Sequence, residues 1–341
     1  MKALALIVKK HFHTILGIVY AALGIWFIPA YAYHLQTDGI SYISIAQKYA
    51  AGDWGNALNA YWPPLFSWLL APFLLFVSNA VVASKIVALI SGLFLLDAMR
   101  RLATALKIDQ VVIWIVVSGA ALLTLYFVFS EPGPDLLMLA FLVYYLYFVI
   151  KSHETRLVKY SVYIGLIGIL AYLAKTFSFP FLILHLLIVT SLALYKAPDK
   201  LRLIKHAGLG LGIMVLGVAV WSGFLFSKYH VVTIGTSGPY NHALVGPQSE
   251  GVATGHLFYH RLFKPTNPTA VSIWEDPTPL TLPAWSPLDS RESFVHQVKL
   301  VAQSAYKSFI IYRRFSIFSF AIIIGYILFL WHKHTDRAAT Q

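Results

Sequence analysis

The sequence predicts an all-α protein that crosses a membrane about eight times. Of its 341 residues, 58% are hydrophobic and only 12% are charged, and the mean hydropathy is +0.70. A water-soluble domain of this length does not normally show such values. The apolar residues also form runs that approach the roughly 20 residues a spanning helix needs. These observations predict a polytopic membrane protein.

Eight apolar runs are candidates for the spans. They lie near residues 15–33, 80–98, 111–129, 135–150, 159–174, 178–195, 207–226 and 309–331. The first run follows Lys9 and Lys10, as the apolar part of a signal peptide would. It exceeds the about 7 to 15 apolar residues of a signal sequence, so we expect an uncleaved anchor.

The basic residues predict which connections face the cytoplasm. The net charge is +12, and the Lys and Arg residues gather in alternate connections between the apolar runs. The five clusters are Lys2, Lys9 and Lys10; Arg100, Arg101 and Lys107; Lys151, Arg156 and Lys159; Lys196, Lys200, Arg202 and Lys205; and Lys333 with Arg337. Because positive charge stays on the cytoplasmic side, we expect both termini there, in the plasma or inner membrane of the cell. Basic groups so placed meet anionic lipid headgroups, not nucleic acid.

The apolar stretch 63–77 does not fit this alternation as a span, because counting it would place Arg100 and Arg101 outside. Its three prolines, Pro63, Pro64 and Pro72, favour an irregular element. Proline interrupts a helix, and irregular backbone is tolerated near a membrane only when protein or headgroups cover it. We therefore predict that this stretch is re-entrant or interfacial.

Three parts follow from this topology. Residues 1–226 form a transmembrane region with outer juxtamembrane helices in an outer loop, 34–79. Residues 227–308 form a small outer lid, rich in Pro, Gly and Thr, and residues 309–341 form the last span and a cytoplasmic tail. Long loops of this kind usually carry function.

Four carboxylates outside the long loop are predicted on the outer side: Asp38, Asp53, Glu131 and Asp135. Ionisable groups near a membrane are costly and usually pair or serve a site. Asp38 precedes a predicted short helix over 40–49, where it either caps the helix or carries a function. Asp53, in the sequence Gly-Asp-Trp-Gly, indicates a turn.

Glu131 and Asp135 flank a tight connection, Glu-Pro-Gly-Pro-Asp. Pro134 suits a first helical turn and leaves Asp135 at the positive end of a helix dipole. Asp135 either helps the helix to begin or serves a site. Two carboxylates this close require a cation, a metal or a shared proton, and they could hold Mg²⁺ or Mn²⁺ or act without a metal.

One lysine lies on the outer side against the charge asymmetry. Lys175 follows the run 159–174 and either reaches the headgroups or binds a phosphate. Three further cations near outer helix ends could join it in binding a phosphate: Lys85, Arg313 and Arg314. No Gly-rich phosphate loop and no His-Glu-x-x-His motif occurs, which counts against direct use of a nucleotide and against a zinc site.

Taken in order, the outer residues resemble the membrane glycosyltransferases of the GT-C fold, in the branch of the aminoarabinose transferases and protein O-mannosyltransferases. The resemblance covers roughly the first 200 residues. It rests on Asp38-Gly39-Ile40-Ser41-Tyr42, Gly52-Asp53-Trp54, Pro63-Pro64-Leu65, Glu131 with Pro134-Asp135-Leu136-Leu137, and Tyr172-Leu173-Ala174-Lys175-Thr176.

The resemblance implies transfer of a sugar from a polyprenyl-phosphate donor to a glycan, lipid or protein acceptor on the outer face. Asp38 would orient or deprotonate the acceptor, Asp135 would be a second site acid, and Lys175 would contact the carrier phosphate. Sugar or acceptor contacts are expected from the outer aromatic residues Tyr42, Tyr61 and Trp62 and from His256. Such aromatic residues equally suit the interfacial belt of a membrane protein.

Two positions depart from the family pattern. Family members often carry Asp-Glu where this chain has Asp38-Gly39, and often a lysine where it has Trp62 before Pro-Pro-Leu. The missing Glu leaves Glu131 as the expected second carboxylate. The missing lysine leaves Lys85 or Arg314 as its substitute.

The sequence therefore predicts an inverting, outward-facing glycosyltransferase. A transporter or flippase for a lipid-linked or anionic solute is the alternative, since charge inside a membrane also marks transport paths. A transporter should place charged residues near the midplane of several spans, whereas here they collect at one surface. A structural scaffold is a third possibility, and it predicts that Asp38 and Asp135 are dispensable.

Overall fold

The computed structural model describes residues 2–196, 198–247, 264–265, 267–280 and 283–315, with residues 320, 323–324 and 327–328. The predicted all-α class is confirmed, since 77% of the residues lie in helices and the described ranges contain no strand. The α-helices are α1 (Lys2–Phe27), α2 (Thr37–Ala50), α3 (Trp54–Ala57), α4 (Leu65–Leu70), α5 (Ala80–Ala105), α6 (Gln110–Ser130), α7 (Asp135–Thr155), α8 (Val158–Ala174), α9 (Ser178–Lys196), α10 (Lys200–Tyr229), α11 (Ser237–Leu244) and α12 (Arg291–Phe315). Short 3₁₀ helices lie at Ile28–Tyr31, Phe73–Leu75 and Ile273–Glu275.

Six helical segments of the described chain are long and apolar enough to cross a membrane. They are His11–Tyr31, Ala80–Ala105, Gln110–Ser130, Asp135–Thr155, Ser178–Tyr195 and Lys200–Tyr229. Each coincides with one of the eight predicted spans. Their length and apolar composition support a membrane protein.

The other two predicted spans differ from these six. The run 159–174 forms α8, whose 17 residues extend about 26 Å, slightly less than the roughly 30 Å of a bilayer core. It packs between α7 and α10. The run 309–331 is described only in part: residues 309–315 form the end of α12, and residues 320, 323–324 and 327–328 are the other described positions.

The stretch 63–77 does not cross as a single helix. It forms α4, of six residues, and the 3₁₀ turn Phe73–Leu75, with Pro72 between them. Leu65, Phe66 and Leu70 are buried against protein. This agrees with the prediction of an irregular element at this position.

The predicted lid 227–308 is helical at both of its ends. Helix α10 continues to Tyr229, and α12 begins at Arg291 because the Ser290 hydroxyl accepts a hydrogen bond from the Ser293 N–H at 3.0 Å. A serine at this position caps a helix N-terminus. The remaining residues are divided between two compact units of the chain.

The first unit comprises Met1–Tyr240 and Leu262–Thr281, and the second comprises Asn241–Arg261 and Leu282–Gln341. All six candidate spans lie in the first unit. In the second unit, Trp285 stacks on His242 with ring centroids 4.3 Å apart and donates its indole N–H to the His242 carbonyl at 2.7 Å. Trp285 therefore stabilises its own unit.

Replacing Gly165 with alanine should separate α8 from α10. The added Cβ would lie 2.6 Å from Ile213 Cβ and 2.9 Å from the Gly210 carbonyl oxygen. Small residues allow this backbone approach between membrane helices, and overpacking costs about 1–3 kcal/mol. We expect a lower unfolding temperature in detergent. Gly119→Ala on α6 is the matched control, since no atom lies within 4 Å of that added methyl; an equal fall in both variants would contradict the close packing.

Candidate active site

Asp38 is the second residue of α2, not its cap. The helix begins at Thr37, and the cap position is Gln36, whose extended backbone makes no side-chain capping bond. The interpretation of Asp38 as an N-cap was therefore wrong. Its half-buried side chain lies in the first helical turn, where the helix dipole favours a negative charge.

The N-terminus of α2 meets the connection between α6 and α7. A Cβ added to Gly39 would lie 3.5 Å from the Pro132 carbonyl oxygen, and one added to Gly133 would lie 3.7 Å from Gln36 Nε2 and 3.8 Å from Asp135 Oδ2. Gly133 thus lies between the cap of α2 and the first residue of α7. Two helix N-termini, each with unpaired N–H groups, converge at this point.

Asp135 and Lys175 form an ion pair at the same end of the helices. Asp135 is the first residue of α7, after Pro134 at the cap position, as predicted. Lys175 follows the last residue of α8 and donates to Asp135 Oδ1 at 2.5 Å. The Asp135 side chain is 55% exposed and the Lys175 side chain is 34% exposed, so both remain open to a ligand.

The charges of this ion pair act on Asp38, and the charge of Asp135 also acts on Tyr42. Burial raises the pKa of Asp38, the Lys175 ammonium lowers it, and the Asp135 carboxylate raises it, with a net upward shift. Tyr42 is only 2% exposed, and burial, with the charges of Asp135 and Asp38, raises its pKa well above the ordinary value. These four residues, Asp38, Tyr42, Asp135 and Lys175, are called the Asp38 cluster below.

Glu131 stands apart from the cluster. Its backbone closes α6, and its exposed side chain makes no hydrogen bond or ion pair with another described residue. The structure thus pairs Asp38 with Asp135 as its neighbouring carboxylate. The expectation that Glu131 takes this position is not supported.

The other predicted phosphate ligands are not brought to the cluster by any described contact. Lys85 is fully buried, and its ammonium donates to the carbonyls of His34 at 2.9 Å and Phe129 at 2.8 Å. It therefore ties α5 to the last turn of α6. Arg313 and Arg314 are exposed in the last turn of α12, in the second unit of the chain.

The aromatic residues predicted to contact a sugar are packed against one another. Tyr42, Tyr61 and Trp62 are 2%, 4% and 6% exposed. Trp62 lies edge-to-face on Tyr42 and on Tyr61, and Trp274 covers Tyr61. Their rings support the wall behind the cluster and are not open for stacking. His256 lies outside the described residues.

A segment that sequence reasoning missed holds this aromatic wall in place. Residues 267–280 belong to the first unit. Glu275 forms a buried ion pair with Lys48 of α2, and its carbonyl accepts from Asn59 Nδ2 at 2.6 Å. Asp276 accepts from the Tyr229 hydroxyl at 2.8 Å. Two adjacent acids in the otherwise apolar sequence Ile-Trp-Glu-Asp-Pro were the available signal.

The Asp38 cluster offers few side chains that could bind a metal ion. The described residues hold no cluster of three or more His, Asp or Glu side chains that could bind a metal ion. Asp38 and Asp135 supply two carboxylates, and Asp135 is already paired with an ammonium. Mg²⁺ commonly takes one or two carboxylates together with substrate phosphates.

No protein-family model matches the chain, and no curated protein and no solved structure matches it. The functional conclusion therefore depends on the Asp38 cluster and on the sequence resemblance.

Proposed function

We propose that this protein is an inverting glycosyltransferase of the membrane. It would take a sugar from a polyprenyl-phosphate donor and pass it to a hydroxyl or amine acceptor on the outer face. The observation that carries the proposal is the close approach of the N-termini of α2 and α7, where the half-buried Asp38 lies within electrostatic reach of the Asp135–Lys175 ion pair. The resemblance to GT-C glycosyltransferases supports the same residues.

Asp38 is suited to act as the base. A general base works best when its pKa approaches the operating pH, and burial moves the pKa of Asp38 in that direction. In the reaction the acceptor oxygen bonds to the anomeric carbon, its proton passes to the Asp38 carboxylate, and the bond from that carbon to the phosphate oxygen breaks. Attack from the face opposite the phosphate inverts the anomeric centre.

Lys175 is suited to hold the departing phosphate. An ammonium has three N–H donors, and Asp135 takes one of them, which leaves two for phosphate oxygens. The N-termini of α2 and α7 add positive partial charge. Negative charge grows on the phosphate as the bond breaks, so these groups stabilise the transition state more than the ground state. Asp135 is then a positioning residue for Lys175.

The outer placement of the cluster follows from the charge asymmetry. Helix α7 runs from Asp135 at the cluster to the basic connection that holds Lys151, Arg156 and Lys159. Positive charge retains that connection in the cytoplasm, so the cluster faces outward, away from nucleotide sugars. A lipid-linked donor reaches this side of the membrane within the bilayer.

The proposal is tested with the full-length protein in proteoliposomes. Radiolabelled hexosyl- and pentosyl-phosphate polyprenols are supplied with hydroxyl acceptors, and both the glycosylated product and the released polyprenyl phosphate are measured. Equal amounts of the two, with inverted stereochemistry, are expected. Movement of the donor lipid between leaflets without release of polyprenyl phosphate would instead indicate a flippase.

The pH profile should shift in opposite directions in two variants. The active base is the ionised carboxylate, so kcat/KM rises with pH through the pKa of Asp38. Asp135→Asn removes the charge that raises this pKa, and the acid limb should move to lower pH. Lys175→Met removes the charge that lowers it, and the limb should move to higher pH.

Both variants should also lower the rate on the plateau of the pH profile. The decisive measurement is therefore the pH at which kcat/KM reaches half of its plateau value. Glu131→Gln, which removes an outer carboxylate that makes no contact with the cluster, should leave the limb unchanged. Shifts of the same sign in the Asp135 and Lys175 variants would exclude Asp38 as the titrating group.

A further inference from the structure

A cavity with several basic lining residues lies at the end of the helices remote from the Asp38 cluster. Helix α7 has 21 residues, which places its C-terminus about 30 Å from Asp135. A cavity of about 290 Å³ opens there, between the end of α7, the end of α9 and the first turns of α10. It shares no residue with the proposed sugar-transfer site.

The cavity is lined by hydrogen-bond donors and cations. Five of its described lining residues carry such groups: Ser152, His153, Arg156, Arg202 and His206. Asp199 is the single acid among the described lining residues, and its Oδ1 caps α10 by accepting the Arg202 backbone N–H at 3.0 Å. The remaining lining is apolar.

The Arg156 guanidinium has no side-chain partner within the described part of the chain. The Arg156 guanidinium makes no hydrogen bond and no ion pair there, and the His153 and His206 rings make none either. Arg202 Nη2 donates to the Arg156 carbonyl oxygen at 3.0 Å, which holds the two arginines side by side. Asp199 is the one described acid that lines the cavity with the two arginines, so positive charge exceeds negative charge there, and like charges held together repel one another. An anion in the cavity would offset this excess.

We propose that this cavity binds the phosphate of an anionic phosphate ester. Two guanidinium groups offer the forked donors that match phosphate oxygens, and the N-terminus of the 30-residue helix α10 adds positive potential. The ester is either an anionic lipid headgroup or a soluble phosphate. Basic pockets between helices at the membrane surface bind lipid headgroups, and the basic residues at this end of α7 and α10 predict such a surface here.

The backbone at Arg156 permits a clean variant. Arg156 has φ of 54°, in the left-handed region, which Asn adopts more readily than most side chains. Arg156→Asn therefore removes the guanidinium and keeps the turn. Lys107 offers a matched position, since it is a cation with φ of 59° at the end of α5, outside the cavity. The double variant Arg156→Asn/Arg202→Gln is compared with Lys107→Asn/Lys205→Gln, which removes the same charge.

Full-length protein in phosphate-free detergent buffer is titrated with short-chain phosphatidylglycerol, short-chain phosphatidylcholine and inorganic phosphate, and binding is followed by calorimetry. We expect one saturable site for phosphatidylglycerol. The Arg156/Arg202 variant should bind at least about tenfold more weakly, since charge-assisted hydrogen bonds are lost, and the Lys107/Lys205 variant should stay within about twofold.

Competition by inorganic phosphate distinguishes a lipid headgroup from a soluble phosphate as the ligand. If inorganic phosphate competes only at far higher concentration, the site takes a lipid headgroup. If inorganic phosphate binds as tightly as phosphatidylglycerol, it takes a soluble phosphate. Absence of saturable binding for both anionic probes, binding of phosphatidylcholine equal to that of phosphatidylglycerol, or equal weakening in the two double variants would overturn the proposal.

Discussion

Replacing Asp38 with asparagine should lower kcat/KM for sugar transfer by about 10²–10⁴-fold, the usual contribution of a general base. Asparagine keeps the size of the side chain and can still accept a hydrogen bond, but it cannot take a proton from the acceptor. The expected loss is therefore in the chemical step, and donor binding should change little. Release of polyprenyl phosphate in proteoliposomes measures the loss.

The same substitution should not destabilise the fold. Burial raises the pKa of Asp38 in the folded protein, so the folded state binds the proton more tightly than the unfolded state does. The stability from this group is present below the unfolded pKa and is lost as pH rises through the folded pKa. Asparagine does not ionise, so the variant avoids the cost of a buried charge at neutral pH. Its unfolding temperature there should equal or exceed the wild-type value.

Glu131→Gln is the matched control for Asp38→Asn. Both residues are carboxylates predicted on the outer side, and the sequence proposes a catalytic role for each. Because the structure places Glu131 on the exposed end of α6, without a side-chain partner among the described residues, its variant should retain nearly full activity. Full activity in Asp38→Asn, or an equal loss in Glu131→Gln, would remove Asp38 from the proposed role.

Replacing Glu275 with glutamine should lower the free energy of unfolding by about 3–5 kcal/mol, because it leaves a charge buried without its partner. The side chains of Lys48 and Glu275 are only 6% and 1% exposed. Glutamine has nearly the same shape and can still accept from the Val271 N–H, which Glu275 Oε2 receives at 2.9 Å. The loss is thus assigned to the unpaired Lys48 ammonium. Unfolding in detergent is followed by circular dichroism.

The double variant Lys48→Met/Glu275→Gln separates charge from packing. Removing both charges should recover most of the lost stability, since a buried ion pair replaced by uncharged groups of similar volume is often neutral. Glu154→Gln breaks an exposed pair with Lys151 and should leave the unfolding curve unchanged. A Glu275→Gln protein that unfolds like the wild type would contradict a buried ion pair at this position.

The apolar runs and the helix signals were predictable because they depend on neighbours in sequence. A run of about 20 apolar residues can satisfy its backbone in lipid only as a helix, so the six candidate spans followed directly. Pro134 and Asp135 mark a helix start by local chemistry, and the structure begins α7 at Asp135. The cap that begins α12 is also a local signal, since it joins Ser290 to Ser293. The prediction nevertheless treated this stretch as a loop.

The roles of individual charged residues were not predictable in the same way. Lys85 and Lys175 both lie near predicted outer helix ends, and nothing local distinguishes them. Only packing shows that the Lys85 ammonium is satisfied by two carbonyls, whereas that of Lys175 meets a carboxylate and stays partly exposed. Asp38 likewise became the second residue of a helix, because α2 begins at Thr37, three residues before the predicted start at residue 40.

By itself, then, the sequence determined that the chain is helical and suited to a membrane, since hydrophobic run length and helix-start chemistry act over a few residues. It also singled out Asp38, Asp135 and Lys175 as outer polar groups worth explaining. Only the tertiary structure decided that these three, and not Glu131 or Lys85, lie within electrostatic reach of one another, and that Glu275 returns from 227 positions away to pair with Lys48. The physical reason is that such pairings depend on where helix ends meet in space, and that depends on the packing of the whole bundle.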